Sequence, residues 1–173
     1  MRKVILYSLA ILLSACTSEV QKNDTAQHYS ISINKQVEQF KKTFQSNVIT
    51  KIVLQEGIIE QKKINAEQLL KDINSFKEFD INKPAWKNSY RIIQSLNYTR
   101  FESLENKLTL KHIDVYGSLN NPDKIAIYFQ NNNNLYYSSK YIQWDLKKSY
   151  NIFSIQDVKG MQPDTIYIKC TWN

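Results

Sequence analysis

The sequence predicts an α+β domain: an antiparallel meander of about six to eight strands, with two helices from the N-terminal half packed on one face. Two observations carry this. Apolar residues recur at helical spacing in two stretches before Pro84, and from Tyr90 onward they recur at period two between turn-forming clusters. The connections between the β runs are short. Antiparallel strands accept such turns, whereas parallel neighbours need a crossover of about a dozen residues or more.

The first helix is marked by Ile33, Val37, Phe40, Phe44 and Val48, spaced 4, 3, 4 and 4, one face of about four turns. Lys51–Gln55 and Ile58–Lys63 flank Glu56-Gly57 and read as a hairpin. Asn65 with Gln68 three residues later resembles a capping box, and Ala66, Leu69, Leu70, Ile73, Phe76 and Phe79 follow at helical spacing. This second helix must end before Pro84, which also disfavours helical geometry at Lys83.

The β region follows. Tyr90–Leu96 and Tyr98–Leu104 lie either side of Asn97. Leu108, Leu110 and His112 alternate, and then Ile113 and Val115 take over, so the phase changes and a bulge is expected near His112. Asn120–Asp123 is a turn, Ile125, Ile127 and Phe129 alternate, and Asn131–Asn134 is the next turn. The next strand begins at Leu135–Ser139 and alternates again through Ile142, Trp144 and Leu146. Lys147-Lys148 turns the chain into Tyr150–Asp157, and Pro163-Asp164 into Thr165–Trp172.

The first sixteen residues concern location. Arg2 and Lys3 precede an apolar run, Val4–Leu13, too short to span a bilayer, which needs about 20 residues. Leu13-Ser14-Ala15-Cys16 resembles the lipobox of bacterial lipoproteins. The resemblance implies cleavage before Cys16 and acylation of that cysteine. It divides the chain into a signal peptide (1–15), the lipidated cysteine with a flexible tether (16–31) and a single α+β domain (32–173). Two or more acyl chains anchor stably where one does not. Thr17, in place of Asp, favours the outer membrane over retention in the inner one.

Cleavage would leave 158 residues, one domain by size. Net charge falls from +7 to +5, from 21 Lys and Arg against 16 Asp and Glu. Acids and bases are interleaved, so the charge reads as a solvated surface, and export argues against a nucleic-acid partner. The expected partners are the membrane, through the anchor, and an envelope protein or glycan. With Cys16 lipidated, Cys170 has no partner in the chain. It shares the apolar face of a strand with Ile166, Ile168 and Trp172 and reads as a small core residue.

Asp24-Thr25-Ala26 resembles the short O-glycosylation acceptor of Bacteroidetes, as does Asp164-Thr165-Ile166. The string Asp80-Ile81-Asn82-Lys83-Pro84-Ala85-Trp86, with Tyr90 and Asn134-Leu135-Tyr136, resembles uncharacterised lipoproteins of Bacteroidetes-type bacteria, over Lys51 to Tyr167. That resemblance implies lineage and no activity. Asp80 and Trp86 read first as a rigid helix-to-strand corner and second as a ligand-facing one.

No catalytic constellation is expected. His28 and His112 are distant in sequence and one cysteine is available, so no metal cluster or cofactor is expected. Glu102 and Glu105 fall on opposite faces of a strand. Phosphate loops and nucleophile elbows are lacking. Tyr128, Tyr136, Tyr137, Tyr141, Trp144 and Tyr150 cluster in adjacent strands. Ordinary cross-strand packing accounts for them most simply. Those turned away from the core would form a stacking surface for sugars or a peptide. The ligand-binding candidates are therefore Trp86, Tyr128, Tyr137, Tyr141 and Trp144. Three functions follow in order: a non-enzymatic outer-membrane binding or accessory module; a carrier enclosing an apolar ligand between sheet and helices; and a hydrolase built on His112 with a carboxylate.

Overall fold

The computed structural model describes residues 29–46 and 48–173. Cys16 and its lipobox, the signal peptide, Asp24-Thr25-Ala26 and His28 lie outside the described residues. Helix α1 (Ile33–Thr43) is followed by β1 (Ile49–Gln55), β2 (Ile58–Ile64) and helix α2 (Ala66–Ser75). Two short 3-10 turns, Phe76–Phe79 and Pro84–Trp86, lead into β3 (Tyr90–Gln94) and β4 (Thr99–Ser103). Then come β5 (Leu110–Gly117), β6 (Pro122–Asn132), β7 (Tyr136–Asp145), β8 (Ser149–Val158) and β9 (Asp164–Trp172). The strands form one antiparallel sheet in the order β2-β1-β9-β8-β7-β6-β5-β4-β3. Strands β3 to β9 are a meander, and the β1–β2 hairpin extends it by pairing β1 with β9.

The α+β meander with two helices is as the sequence predicts. The sheet has nine strands because the early hairpin joins the same sheet. Glu56 and Gly57 both have positive φ, 50° and 79°, which closes a two-residue hairpin with the twist the strands need. The bulge near His112 is present as a register shift between Leu110 and His112. Helix α1 is shorter than its apolar spacing implies. Phe44 turns extended, with ψ of 126°, yet its ring still packs on Phe40 and Trp172, 5.1 and 6.0 Å away. Val48, the last member of the predicted stripe, is exposed. The Asn131–Asn134 turn is also tighter than expected, since β6 runs through Asn132.

The core lies between the helices and one sheet face. Val115, Ile125, Trp144, Tyr150 and Cys170 form one cross-strand row over β5 to β9, and all are buried. Phe40 of α1 and Phe76 after α2 meet Trp144 edge-on, with ring centroids 5.6 and 5.7 Å away. Asp72 of α2 accepts from the Tyr150 hydroxyl and pairs with the Lys51 ammonium, both at 2.6 Å, which joins α2 to the β1–β8 region of the sheet.

Tyr29, the first described residue, belongs to the segment read as tether, yet Asp80 and Asn82 hold this part of the chain in place. Asp80 is 2 % exposed. Its carboxylate accepts from the Ser32 hydroxyl (2.8 Å), the Asn34 amide (2.7 Å) and the Asn82 amide (2.8 Å). Ser32 itself caps α1 by accepting from the Lys35 amide, so a negative charge sits at the positive end of the helix. Asn82 accepts from the Tyr29 amide and donates to the Ile31 carbonyl. The Tyr29 hydroxyl accepts from the Tyr90 amide and donates to the Trp86 carbonyl.

Two outcomes are expected. Asp80→Ala removes a buried carboxylate from three part-buried hydrogen bonds and lowers unfolding stability by about 2 kcal/mol. Urea titration at unchanged m-value reads this, and a loss below about 1 kcal/mol would refute the assignment. Burial raises the Cys170 thiol to about 11 and removes it from solvent. Cys170 therefore reacts with an aromatic disulfide reagent only after denaturant is added; prompt reaction in native buffer would count against the core reading.

Candidate functional site on the open sheet face

The helices cover one face of the sheet and leave the other open. Period-two alternation fixes which residues point there. Register places Arg91, Glu102, His112, Tyr128, Tyr141, Phe153, Tyr167, Leu54 and Ile59 in a single row across all nine strands. Five of them carry rings, on the five consecutive strands β5 to β9. At about 4.8 Å between strands the ring-bearing segment is about 19 Å long. His112 leans on Tyr128, with ring centroids 5.3 Å apart.

Mostly polar side chains flank the rings, with Ala126 and Ile155 the apolar members. On one side the next row reads Arg100, Asp114, Ala126, Gln143, Asn151 and Lys169. On the other it reads Gln130, Ser139, Ile155 and Thr165. Some flanking amides hold ring hydroxyls: Gln143 donates to Tyr141, and Tyr167 donates to Asn151, both at 3.1 Å. Ala126 has the smallest side chain on this face and lies between Asp114 and Gln143.

The β4–β6 side of the face carries its strongest charges. Arg100 donates to both oxygens of Asp114, at 2.6 and 2.8 Å, in a fork-to-carboxylate pair. Asp114 is buried although it belongs to the open face. The bond raises the guanidinium's pKa further. Arg100 also lies 5.5 Å from the Tyr98 ring centroid, and Lys124 sits 3.8 Å from that of Tyr116. Beside them, burial and the positive charge of Arg100 hold the His112 imidazole below its usual 6.5. Burial, then the neighbouring Tyr137 hydroxyl, raises the Tyr128 phenol.

The sequence-derived candidates separate. Tyr128, Tyr137 and Tyr141 share the open face, Tyr137 pairing with Asn132 near the sheet's end. Trp144 does not join them and is corrected to the core. It differs from Tyr137 and Tyr141 in strand parity, so it points to the helices and is 0 % exposed. Trp86 lies on the helix side, at the rim of a half-open pocket of about 300 Å³. Phe79, Leu110 and Phe129 form that pocket's apolar walls, and Lys83 sits 4.1 Å over the Trp86 ring. Phe153 and Tyr167 were not among the candidates, nor was His112 as a member of a ring row. Their signal was present in the turn centres: an antiparallel turn between Asp145 and Ser149 puts Phe153 opposite Tyr141.

No known family model, curated protein sequence or solved structure matches this chain. The functional reading therefore rests on the chain itself. Among the described residues no group of three or more His, Cys, Asp or Glu is placed to hold a metal, and no helix is long and apolar enough to cross a membrane. His112 has carboxylates nearby, but Asp114 is engaged by Arg100 and Glu102 by Arg91 (2.7 Å). Glu105 is bonded to Ser89 and Lys107. These contacts favour a recognition surface over a proton-transfer site.

The His112 shift has a pH consequence. Its folded pKa lies below the unfolded value, so between the two the unfolded chain binds more protons and stability rises with pH. That stability is complete above about 6.5 and is lost as pH falls toward the folded pKa. Wild type is therefore expected to lose stability from pH 7.5 to 5.5, and His112→Gln to lose less over the same interval in urea titrations. Equal losses would assign the pH dependence to other groups.

Proposed function

We propose that this chain is a non-enzymatic, lipid-anchored outer-membrane lipoprotein of the Bacteroidetes type that binds an envelope glycan on its open sheet face. One observation carries the reading: the row His112, Tyr128, Tyr141, Phe153 and Tyr167, flanked on both sides by amides and hydroxyls. Sugar rings present apolar C–H faces and a rim of hydroxyls. Aromatic side chains pack on the former, and Gln, Asn, Ser and Thr bond to the latter. The row crosses five adjacent strands and continues to both edges of the sheet, which suits a chain of sugars more than a single small molecule.

A protein partner is the competing occupant of this face, since aromatic residues also anchor protein interfaces. The polar flanks favour the glycan. The carrier reading requires an enclosed space between sheet and helices; the layer under the helices is filled by Phe40, Phe76, Trp144, Tyr150 and Trp172 in ring contacts, and the pocket at Phe79, Leu110 and Phe129 is half-open rather than enclosed. The hydrolase reading requires a free carboxylate beside His112, and the neighbouring ones are held by arginines.

The test uses the full lipidated protein in mild detergent and soluble polysaccharides extracted from bacterial envelopes, with affinity electrophoresis as the readout. Retardation by at least one polysaccharide is expected. Tyr128→Ala and Tyr141→Ala each weaken it about tenfold, which corresponds to about 1.4 kcal/mol per ring. Retention unchanged in the double variant, or absent in wild type, would refute glycan binding on this face. A co-purifying protein lost in the same variants would transfer the face to a protein partner.

A further inference from the structure

The exposed large apolar residues at the ends of the strands gather mostly at one end of the sheet, set among polar loop residues, and Tyr29, the first described residue, lies at that same end. Strand register places the start of β3, the end of β4, the β6–β7 and β8–β9 loops and the β1–β2 turn together. Ile58 and Ile59 at the start of β2 are 64 and 70 % exposed, Leu135 in the β6–β7 loop 73 %, and Met161 in the β8–β9 loop 70 %. These loops touch: the Lys159 amide donates to the Leu135 carbonyl, and Gln55 donates to Asp164. Leu104 and Val158 at this end are also exposed. At the other end the exposed large apolar residues are Val48 and Leu96, near opposite edges of the sheet, with Lys147 and Lys148 in the turn between β7 and β8.

Tyr29, the first described residue, is held against Tyr90 at the start of β3, with ring centroids 5.8 Å apart. Twelve residues separate it from Cys16, a span of at most about 40 Å when fully extended. Tyr29 therefore lies at the same end of the sheet as the exposed apolar residues, at the β3 edge, with Ile58 and Ile59 at the opposite, β2, edge. So short a connection keeps the loops at high effective concentration near the bilayer, so weak apolar contacts suffice.

We infer that the end of the sheet carrying Ile58, Ile59, Leu135 and Met161 docks on the lipid bilayer, with these side chains in the headgroup region. The occupant is the lipid surface to which the anchor already ties the chain. An interfacial segment buries its apolar face about 5 to 10 Å into the boundary between headgroups and acyl chains, a depth within reach of loop tips. Docked this way, the strands rise from the membrane and the open face stands upright beside it. The inference rests on the lipid-anchor reading.

The experiment places single spin labels at Ile59→Cys, Leu135→Cys, Met161→Cys and, at the opposite end, Leu96→Cys in the full lipidated protein. All four positions are exposed, so labels there do not disturb the core, and the buried thiol of Cys170 is not labelled. The proteins are reconstituted in vesicles of phosphatidylethanolamine and phosphatidylglycerol. Oxygen and a water-soluble nickel chelate then compete as relaxing agents. The expected result is a several-fold preference for oxygen at 59, 135 and 161 and the reverse at 96. Water-like access at all four positions would overturn the docking, as would label–label broadening at 59, 135 and 161, which would mark a second copy. Protein that fails to float with vesicles would instead refute the anchor itself, a failure read before any label is measured.

Discussion

The buried carboxylate of Asp80 is the constraint on which the arrangement depends. It lies between two elements distant in sequence: the start of α1, through Ser32 and Asn34, and the corner that leads from α2 to β3, through Asn82. A carboxylate so placed satisfies orphan amide donors at a helix start and meets the positive end of the helix dipole. Because α1 is then fixed to the corner after α2, both helices are set on the same sheet face. In that arrangement Phe40 and Phe76 both reach Trp144. The other sheet face is left uncovered as a direct result.

An uncovered face on a nine-stranded sheet must be compatible with water, and this one is so in a particular way. Its rings are half-buried by each other and by long polar neighbours, and its one buried acid, Asp114, is forked by Arg100. Burying a charged pair gains little by itself, while breaking one leaves a costly unpaired charge. The pair thus makes the β4–β5 part of the face rigid rather than more stable. The edges are guarded differently: β2 carries Glu60, Gln61, Lys62 and Lys63 along the exposed edge, which discourages strand addition.

Most of this was legible in the sequence, and where it was not the cause is physical. The capping box at Asn65 and Gln68, the Glu56-Gly57 turn and the bulge near His112 are local signals and appear where the sequence puts them. The end of α1 was obscured because Phe44 serves the same core whether helical or extended, so its spacing carries no information on the helix end. Asp80 was seen as part of a corner, but its hold on Ser32 joins residues 48 apart and leaves no local pattern. Trp144 was grouped with Tyr137 and Tyr141 by nearness in sequence, although strand parity already separates them.

The ring row shows what such a reading needs beyond composition. Eleven tyrosines say little, because a tyrosine in a strand serves a core or a surface equally well. Parity assigns each to a face, and the turn centres then align them between strands. In an antiparallel pair without a bulge the residue numbers of all partners share one sum, so one well-marked turn fixes a whole pairing, as it does for β7–β8 and β8–β9. The Lys147-Lys148 turn aligns Tyr141 with Phe153, and the loop at Gly160 aligns Phe153 with Tyr167. A row of rings on five adjacent strands therefore depends on four loop lengths as well as on the ring-bearing residues. Inserting one residue in the turn between β7 and β8 would move Phe153 and every other β8 side chain to the opposite face. The row would be broken there and the core opened at Tyr150, which couples the recognition surface to the fold.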